Sequence, residues 1–376
     1  MVNVLVAPDK FKGSLTALEV CNAVSEFLVN SRCNVSSLPL ADGGEGTFEI
    51  LQKHYGGVSQ EVVVHDPMMR AIKATYGVSA DGSTALIEMA KASGLQLLNK
   101  SECNPLVTTT YGTGELILHA LDKRVKTIIL GIGGSATHDV GTGMAAAIGF
   151  RFFTRLQKLI SCPCGASLHE IDMIDPTGCH PAVKWAKCIV LCDVKNPLTG
   201  KNGSALVFAP QKGASPADVD TLELGTRHFA KVLKSQFNFS TDFPGAGAAG
   251  GLGAGAACFL KAELHTGMDF IGGITSLEQR ISESDIVITG EGKLDRQSFS
   301  GKVVQRVTAL ARKHNKRLIV ICGVSELSPE ELHHSGIDEC LVLSSGRELQ
   351  YAIDNAAALI KERLGKSMVL QAINIS

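Results

Sequence analysis

Residues 2–7 are aliphatic apart from Asn3, the pattern of a strand buried on both faces of a parallel sheet. From 14 to 29 the period changes. Leu15, Leu18, Cys21, Val24, Phe27 and Leu28 recur at helical spacing, and Thr16 with Glu19 three residues on forms a capping-box signature. A second strand is predicted at 35–41 and a second helix at 44–54, and the alternation resumes late in the chain. There, strands are predicted at 285–289, 317–322 and 339–343, with helices at 301–313, 329–334 and 348–364. Five alternations match an α/β fold, a flavodoxin-like doubly wound parallel sheet of order 2-1-3-4-5, split between the two ends of the chain.

The stretch between is too long for a crossover and predicts a large inserted mixed α/β domain. Short β-patterned runs at 61–65, 71–78 and 83–89 are punctuated by Asp66-Pro67 and Asp81-Gly82, the latter a hairpin signal. Two further buried strands are predicted at 127–131 and 188–193. The expected domains are therefore 1–61 with 285–376, discontinuous and flavodoxin-like, and 62–284, with the active site in the cleft between them.

Composition narrows the class. The 36 basic and 37 acidic residues leave a net charge of -1, so no global field draws nucleic acid or an anionic membrane, and any anionic ligand needs local groups. Thirty-nine glycines beside only 12 prolines suit tight turns, or places where backbone must approach a ligand. Eleven cysteines, an odd number with no secretory start, read as reduced thiols in a cytoplasmic protein. The most apolar stretch, 245–260, is half glycine and too short to span a bilayer.

The candidate chemistry falls at predicted strand ends, where open α/β sheets bind ligands. Strand one ends in Asp9-Lys10-Phe11-Lys12-Gly13, and strand three in Gly290-Glu291-Gly292-Lys293-Leu294-Asp295; the order 2-1-3-4-5 brings them to one crevice. Strand two ends in Asp42-Gly43-Gly44-Glu45-Gly46, whose acids suit a helix start or, given the glycines, a ligand. Residues 131–139, Gly-Ile-Gly-Gly-Ser-Ala-Thr-His-Asp, follow a strand and open a predicted helix, which suits a phosphate or carboxylate. The glycine spacing does not fit a dinucleotide fingerprint. Asp193, with Asn196 three residues on, ends a buried strand and suits metal coordination or acceptance of a hydroxyl proton, or an Asx turn. The glycines of 244–255 fit close helix packing as well as phosphate contact, and Lys212 sits in a Pro210–Gly213 turn. Cys162, Cys164, Cys179 and His180 have poor spacing for structural zinc.

Together these segments closely resemble the bacterial type-I glycerate kinase family, over almost the whole chain. The resemblance rests on 7–15, 41–47, 111–115, 131–137, 192–198, 210–214, 244–255 and 289–297, in that order. Departures are His138-Asp139-Val140 where the family usually has Asn-Asp-Gly, and Met68-Met69-Arg70 where it has Leu-Gly-Arg. The resemblance implies phosphorylation of D-glycerate by ATP with Mg2+, the 2-phosphate favoured over the 3-phosphate. It implies no nucleic-acid or membrane partner, and leaves a homodimer open. Under it, Lys10 and Lys12 meet phosphate or the substrate carboxylate, and Gly133, Gly134, Ser135 and Thr137 cradle phosphate. Asn196 and Lys212 join the phosphate and substrate groups, and Arg70 clamps the glycerate carboxylate. Asp42, Glu45 and Glu291 are the magnesium candidates. Asp193 is the expected base, with Asp295 second. The alternatives are a kinase of another small hydroxy acid, and a non-catalytic sensor of glycerate or nucleotide.

Overall fold

The computed structural model describes residues 1–41, 46–295 and 302–372. Within them the strands in chain order are β1 (Val2–Val6), β2 (Cys33–Ser37), β3 (Val58–His65), β4 (Ala71–Val78), β5 (Thr84–Glu88), β6 (Thr127–Gly131), β7 (Arg151–Thr154), β8 (Leu159–Ile160), β9 (Ile171–Asp175), β10 (Lys187–Leu191), β11 (Glu263–His265), β12 (Ile286–Leu294), β13 (Arg317–Ser325) and β14 (Glu339–Val342). Two compact units form, Met1–Ile50 with Gly267–Ser376, and Leu51–Thr266. These boundaries differ from the pattern-based 61/62 and 284/285. One reason is that β3 starts at Val58 and pairs with β4 along its full length. The other is that the Leu277–Glu283 helix joins the first unit, where Glu278 accepts bonds from Lys313 Nζ (2.6 Å) and the His314 ring (3.1 Å).

In the first unit all the strands are parallel, in the order β14-β13-β12-β1-β2, which is 2-1-3-4-5 in the numbering of this sheet. The Ala17–Leu28 helix starts where the sequence places it. Thr16 Oγ1 accepts from the Glu19 N–H while the Glu19 carboxylate accepts from the Thr16 N–H, satisfying two of the helix end's free donors. Its buried face of Val20, Cys21, Val24 and Leu28 packs with Val4, Val6, Ile288 and Ile319 in one core, where each large aliphatic side chain contributes about 1.5–3 kcal/mol. Two elements depart from expectation. β12 continues through Glu291 to Leu294, because β13 extends alongside it as far as Ser325. The predicted 348–364 helix is two, Leu349–Asp354 and Ala356–Leu364, divided at Asn355.

The second unit holds a six-stranded sheet, β11-β10-β6-β5-β4-β3, and a small antiparallel sheet, β8-β7-β9. β11, β10, β6 and β5 are parallel, whereas β4 and β3 add as antiparallel strands at one side. Burial on both faces explains the unbroken apolar runs: Ile128, Ile129 and Leu130 of β6 are almost fully buried, as are Val190 and Leu191 of β10. In register, Gly131 ends its strand level with Glu88 on one side and Leu191 on the other, and Leu191 is level with His265.

At the β3–β4 hairpin tip, Met69 adopts φ +61°, a left-handed conformation, at one of the two places where the resembling family usually carries glycine. A side chain there costs about 1–2 kcal/mol, and Met69 is 36% exposed, so little packing opposes the relief. Met69→Gly is expected to raise unfolding stability by about 1 kcal/mol, read as a higher denaturation midpoint; an unchanged or lower midpoint contradicts this.

Candidate functional site

The carboxyl edge of the six-stranded sheet gathers the groups that suit phosphate. After β6 the chain runs out as Ile132-Gly133-Gly134-Ser135, and Gly133 and Gly134 are exposed while Ser135 is 8% exposed. Gly134 takes φ +74°, and its carbonyl accepts the Leu95 N–H at 2.9 Å, fixing the bend. Among the described residues no acceptor meets the N–H groups of Gly133 and Gly134. Exposed, fixed donors of this kind fit the oxygens of an anionic phosphate.

Thr137 and Lys212 lie beneath the loop. Thr137 is fully buried, and its Oγ1 has no hydrogen-bond partner among the described residues. Lys212 Nζ, 2% exposed, donates to Ser135 Oγ at 2.6 Å and to the Thr137 carbonyl at 2.8 Å. Burial pulls this ammonium down from the usual lysine range to about 7, with the Asp139 charge acting the other way. Of the 244–255 glycines, Gly250, Gly251 and Gly255 pack closely against residues 137–141. Gly250 sits at φ +67°, and a Cβ there would lie 2.0 Å from the Thr137 carbonyl oxygen; one on Gly255 would lie 2.2 Å from that of Val140.

The helix expected to open out of the loop is short, Thr142–Ala147, and its amino end is already occupied. Asp139, fully buried, accepts from the N–H groups of Gly141 (3.0 Å), Gly143 (3.1 Å) and Thr110 (2.7 Å) and from Thr110 Oγ1 (2.7 Å). One carboxylate thus caps both this helix and Tyr111–Asp122, so the dipole of the short helix does not serve the loop. Burial pushes the Asp139 carboxyl up, and the bonds from Thr110, Gly141 and Gly143 oppose it.

His138 and Val140 are where the chain departs from the resembling pattern. Val140 is fully buried at φ +50°, a second side chain at a glycine-like position. His138 Nε2 meets Thr226 Oγ1 at 3.0 Å, and burial, then the Lys212 charge, drives the imidazole down to about 3. An unfolded imidazole protonates near 6.5, so between pH 6.5 and 3 the unfolded state binds the extra proton. Stability should therefore fall with acid by about 1.4 kcal/mol per pH unit in that window from this group alone. His138→Gln should flatten the slope in denaturant titrations run across it; an unaltered slope would refute the assignment.

Asp193 and Asn196 follow β10, the strand next to β6. Asp193 is exposed two residues past Leu191, which pairs in register with Gly131. Asn196 Nδ2 donates to the Asn202 carbonyl at 2.9 Å, and its own carbonyl accepts the Gly247 N–H at 3.0 Å, so it braces the segment that carries Asp193. Arg70 Nε and Nη1 donate to Asp66 and Glu102, each at 2.6 Å, which holds the guanidinium above its ordinary range. A carboxylate reaching Arg70 meets its Nη2 edge unless Glu102 gives way.

In the first unit the Asp9 N–H donates to the Gly290 carbonyl (2.8 Å), and a Cβ on Gly292 would lie 3.0 Å from the Lys12 N. The Lys10–Lys12 turn thus abuts β12. Glu291 is on β12, 9% exposed, instead of in a loop after it, and Asp295 lies 3.7 Å from Lys293 Nζ. Asp42 and Glu45 lie outside the described residues. Among the described residues no three His, Cys, Asp or Glu side chains gather as a metal cage. Magnesium bound through one or two carboxylates and phosphate oxygens needs none, so the chemistry of Glu291 fits that ion. Sequence reasoning gave Asp139 no role of its own. Its local bonds to Gly141 and Gly143 lie within four residues, but Thr110 is 29 residues away in the chain, and no local pattern brings it there.

An exposed glycine loop at strand ends serves several classes of phosphate-binding protein, and the comparisons with known proteins decide among them: they show a phosphotransferase acting on an alcohol group. The glycerate kinase family model matches residues 4–371. A glycerate kinase of Halalkalibacterium halodurans is 41% identical over 91% of each chain, and the glycerate 2-kinase of Escherichia coli K12 is 42% identical over 90% of this chain and 89% of that one. A crystal structure from Salmonella typhimurium LT2 assigned as glycerate kinase 2 superposes with a TM-score of 0.86 at 37% identity, covering 99% of this chain and 98% of the other. The chain belongs to the glycerate kinase family. Among the described residues no helix is long and apolar enough to cross a membrane.

Proposed function

We propose that this protein transfers the terminal phosphoryl group of ATP, with Mg2+, to the 2-hydroxyl of D-glycerate. The observation that carries the reading is the exposed Gly133–Gly134 turn, whose N–H groups meet no acceptor among the described residues, with Asp193 two residues past the end of the neighbouring strand. Bound Mg-ATP supplies the phosphoryl group and an ion that offsets its charge. The Gly133, Gly134 and Ser135 donors hold phosphate oxygens in place, which costs no reorganisation during the reaction. Asp193 orients the acceptor hydroxyl and takes its proton, with Asp295 the second candidate. Lys10 and Lys12 bring positive charge to phosphate or the substrate carboxylate, and Arg70 offers a donor edge to that carboxylate. Glu291, with Asp42 and Glu45, holds magnesium.

A coupled assay of ADP release over a panel of small hydroxy acids tests the reading. D-Glycerate should give the highest kcat/KM. A different hydroxy acid ahead of it would move the substrate assignment, and ligand-dependent thermal stabilisation without ADP release would favour the sensor.

A further inference from the structure

Lys212 is a buried ammonium without a carboxylate within 4.0 Å among the described residues; it faces two neutral oxygens, Ser135 Oγ and the Thr137 carbonyl. Burying a charge costs several kcal/mol, and an apolar side chain of similar length would fill the same space without that cost. The backbone commits residues to the arrangement as well. The Pro210–Lys212 turn ends at Gly213, φ +96°, where a Cβ would lie 2.0 Å from the Cys103 carbonyl oxygen. The cation is therefore held directly beneath the exposed loop.

An ammonium has three donors and no acceptor. Because Lys212 donates to Ser135 Oγ, the hydroxyl proton of Ser135 must point to some other group. Ser135 follows Gly133 and Gly134, so that other group can be an anion resting on the turn. We infer that Lys212 is a positioning residue: it fixes Ser135 as a hydrogen-bond donor to the phosphate held at Gly133–Gly134 and does not touch that phosphate itself. The inference rests on the proposed role of the loop in holding phosphate. The groups that face the ammonium include His138 and Asp139, both on the segment that follows the loop. When Lys212 loses its proton it can accept from Ser135 instead, the bond reverses, and the donor toward phosphate is lost. Burial places that loss near neutral pH in the free enzyme.

The test is a double-mutant cycle on the full chain with Mg-ATP and D-glycerate as probes. Lys212→Met and Ser135→Ala should each lower kcat/KM for Mg-ATP by about 10-fold, the scale of one charge-assisted hydrogen bond, while KM for glycerate stays within about 2-fold. The double variant should lose no more than about 3-fold beyond either single one. Losses that multiply, or an unaffected Lys212→Met enzyme, overturn the inference while leaving the phosphate loop standing. An unaffected Ser135→Ala enzyme overturns the inference too, whereas only a wild-type enzyme that fails to bind Mg-ATP overturns the reading of the loop. The pH profile needs no change at Lys212. The wild-type kcat/KM for Mg-ATP should decline above about pH 7, and this limb should vanish in Ser135→Ala; its persistence there also overturns the inference.

Discussion

Asp193→Asn is expected to lower kcat by about 10²-fold or more, while affinity for Mg-ATP stays close to that of the unaltered protein. The carboxamide keeps the shape and much of the hydrogen bonding of the carboxylate but cannot take a proton at working pH. Asp193 is exposed just beyond β10, and Asn196 braces the segment that carries it. A group placed to act only on the acceptor hydroxyl should show its loss in turnover. Steady-state kinetics with D-glycerate check this, and near-normal kcat would transfer the role to Asp295 or remove the need for a base.

The largest stability effect is expected at Asp139. Asp139→Ala leaves the N–H groups of Thr110, Gly141 and Gly143 and the Thr110 hydroxyl without their shared acceptor, all in a buried setting. Unsatisfied buried donors cost about 1–3 kcal/mol each, not additively, so a loss of about 3–5 kcal/mol is expected. Since both capped helices flank the loop segment, the loop should loosen with them. Denaturant unfolding with an unchanged m-value reads the loss directly. A change below about 1 kcal/mol would mean that water or a repacked side chain replaces the carboxylate.

The parallel sheet of the first unit was legible because buried parallel strands are written as continuous aliphatic runs, as in 2–7 and 317–322. The short strands β8 and β11, two and three residues long, carry too few positions for any period to show. The end of β12 was misplaced for another reason. Glycines at 290 and 292 suggest a turn, yet Gly290 lies where a Cβ would come 2.1 Å from the Ile321 carbonyl oxygen, a close approach between paired strands. The same ambiguity governed the site. Glycines 133 and 134 are exposed, whereas glycines 250 and 255 permit close contact with the backbone of Thr137 and Val140, and sequence spacing does not separate those settings. Lys212 illustrates the limit most clearly: a lone lysine in a turn reads as solvated, and only the fold buries it against Ser135.

Phosphorus NMR of the product formed from D-glycerate and Mg-ATP tests the central claim most directly. Transfer to the 2-hydroxyl predicts, alongside ADP, a new phosphomonoester signal split into a doublet by the single carbinol proton. A triplet would place the phosphate on the 3-hydroxyl and contradict the regiochemistry. The absence of any new phosphomonoester would contradict the proposed reaction itself.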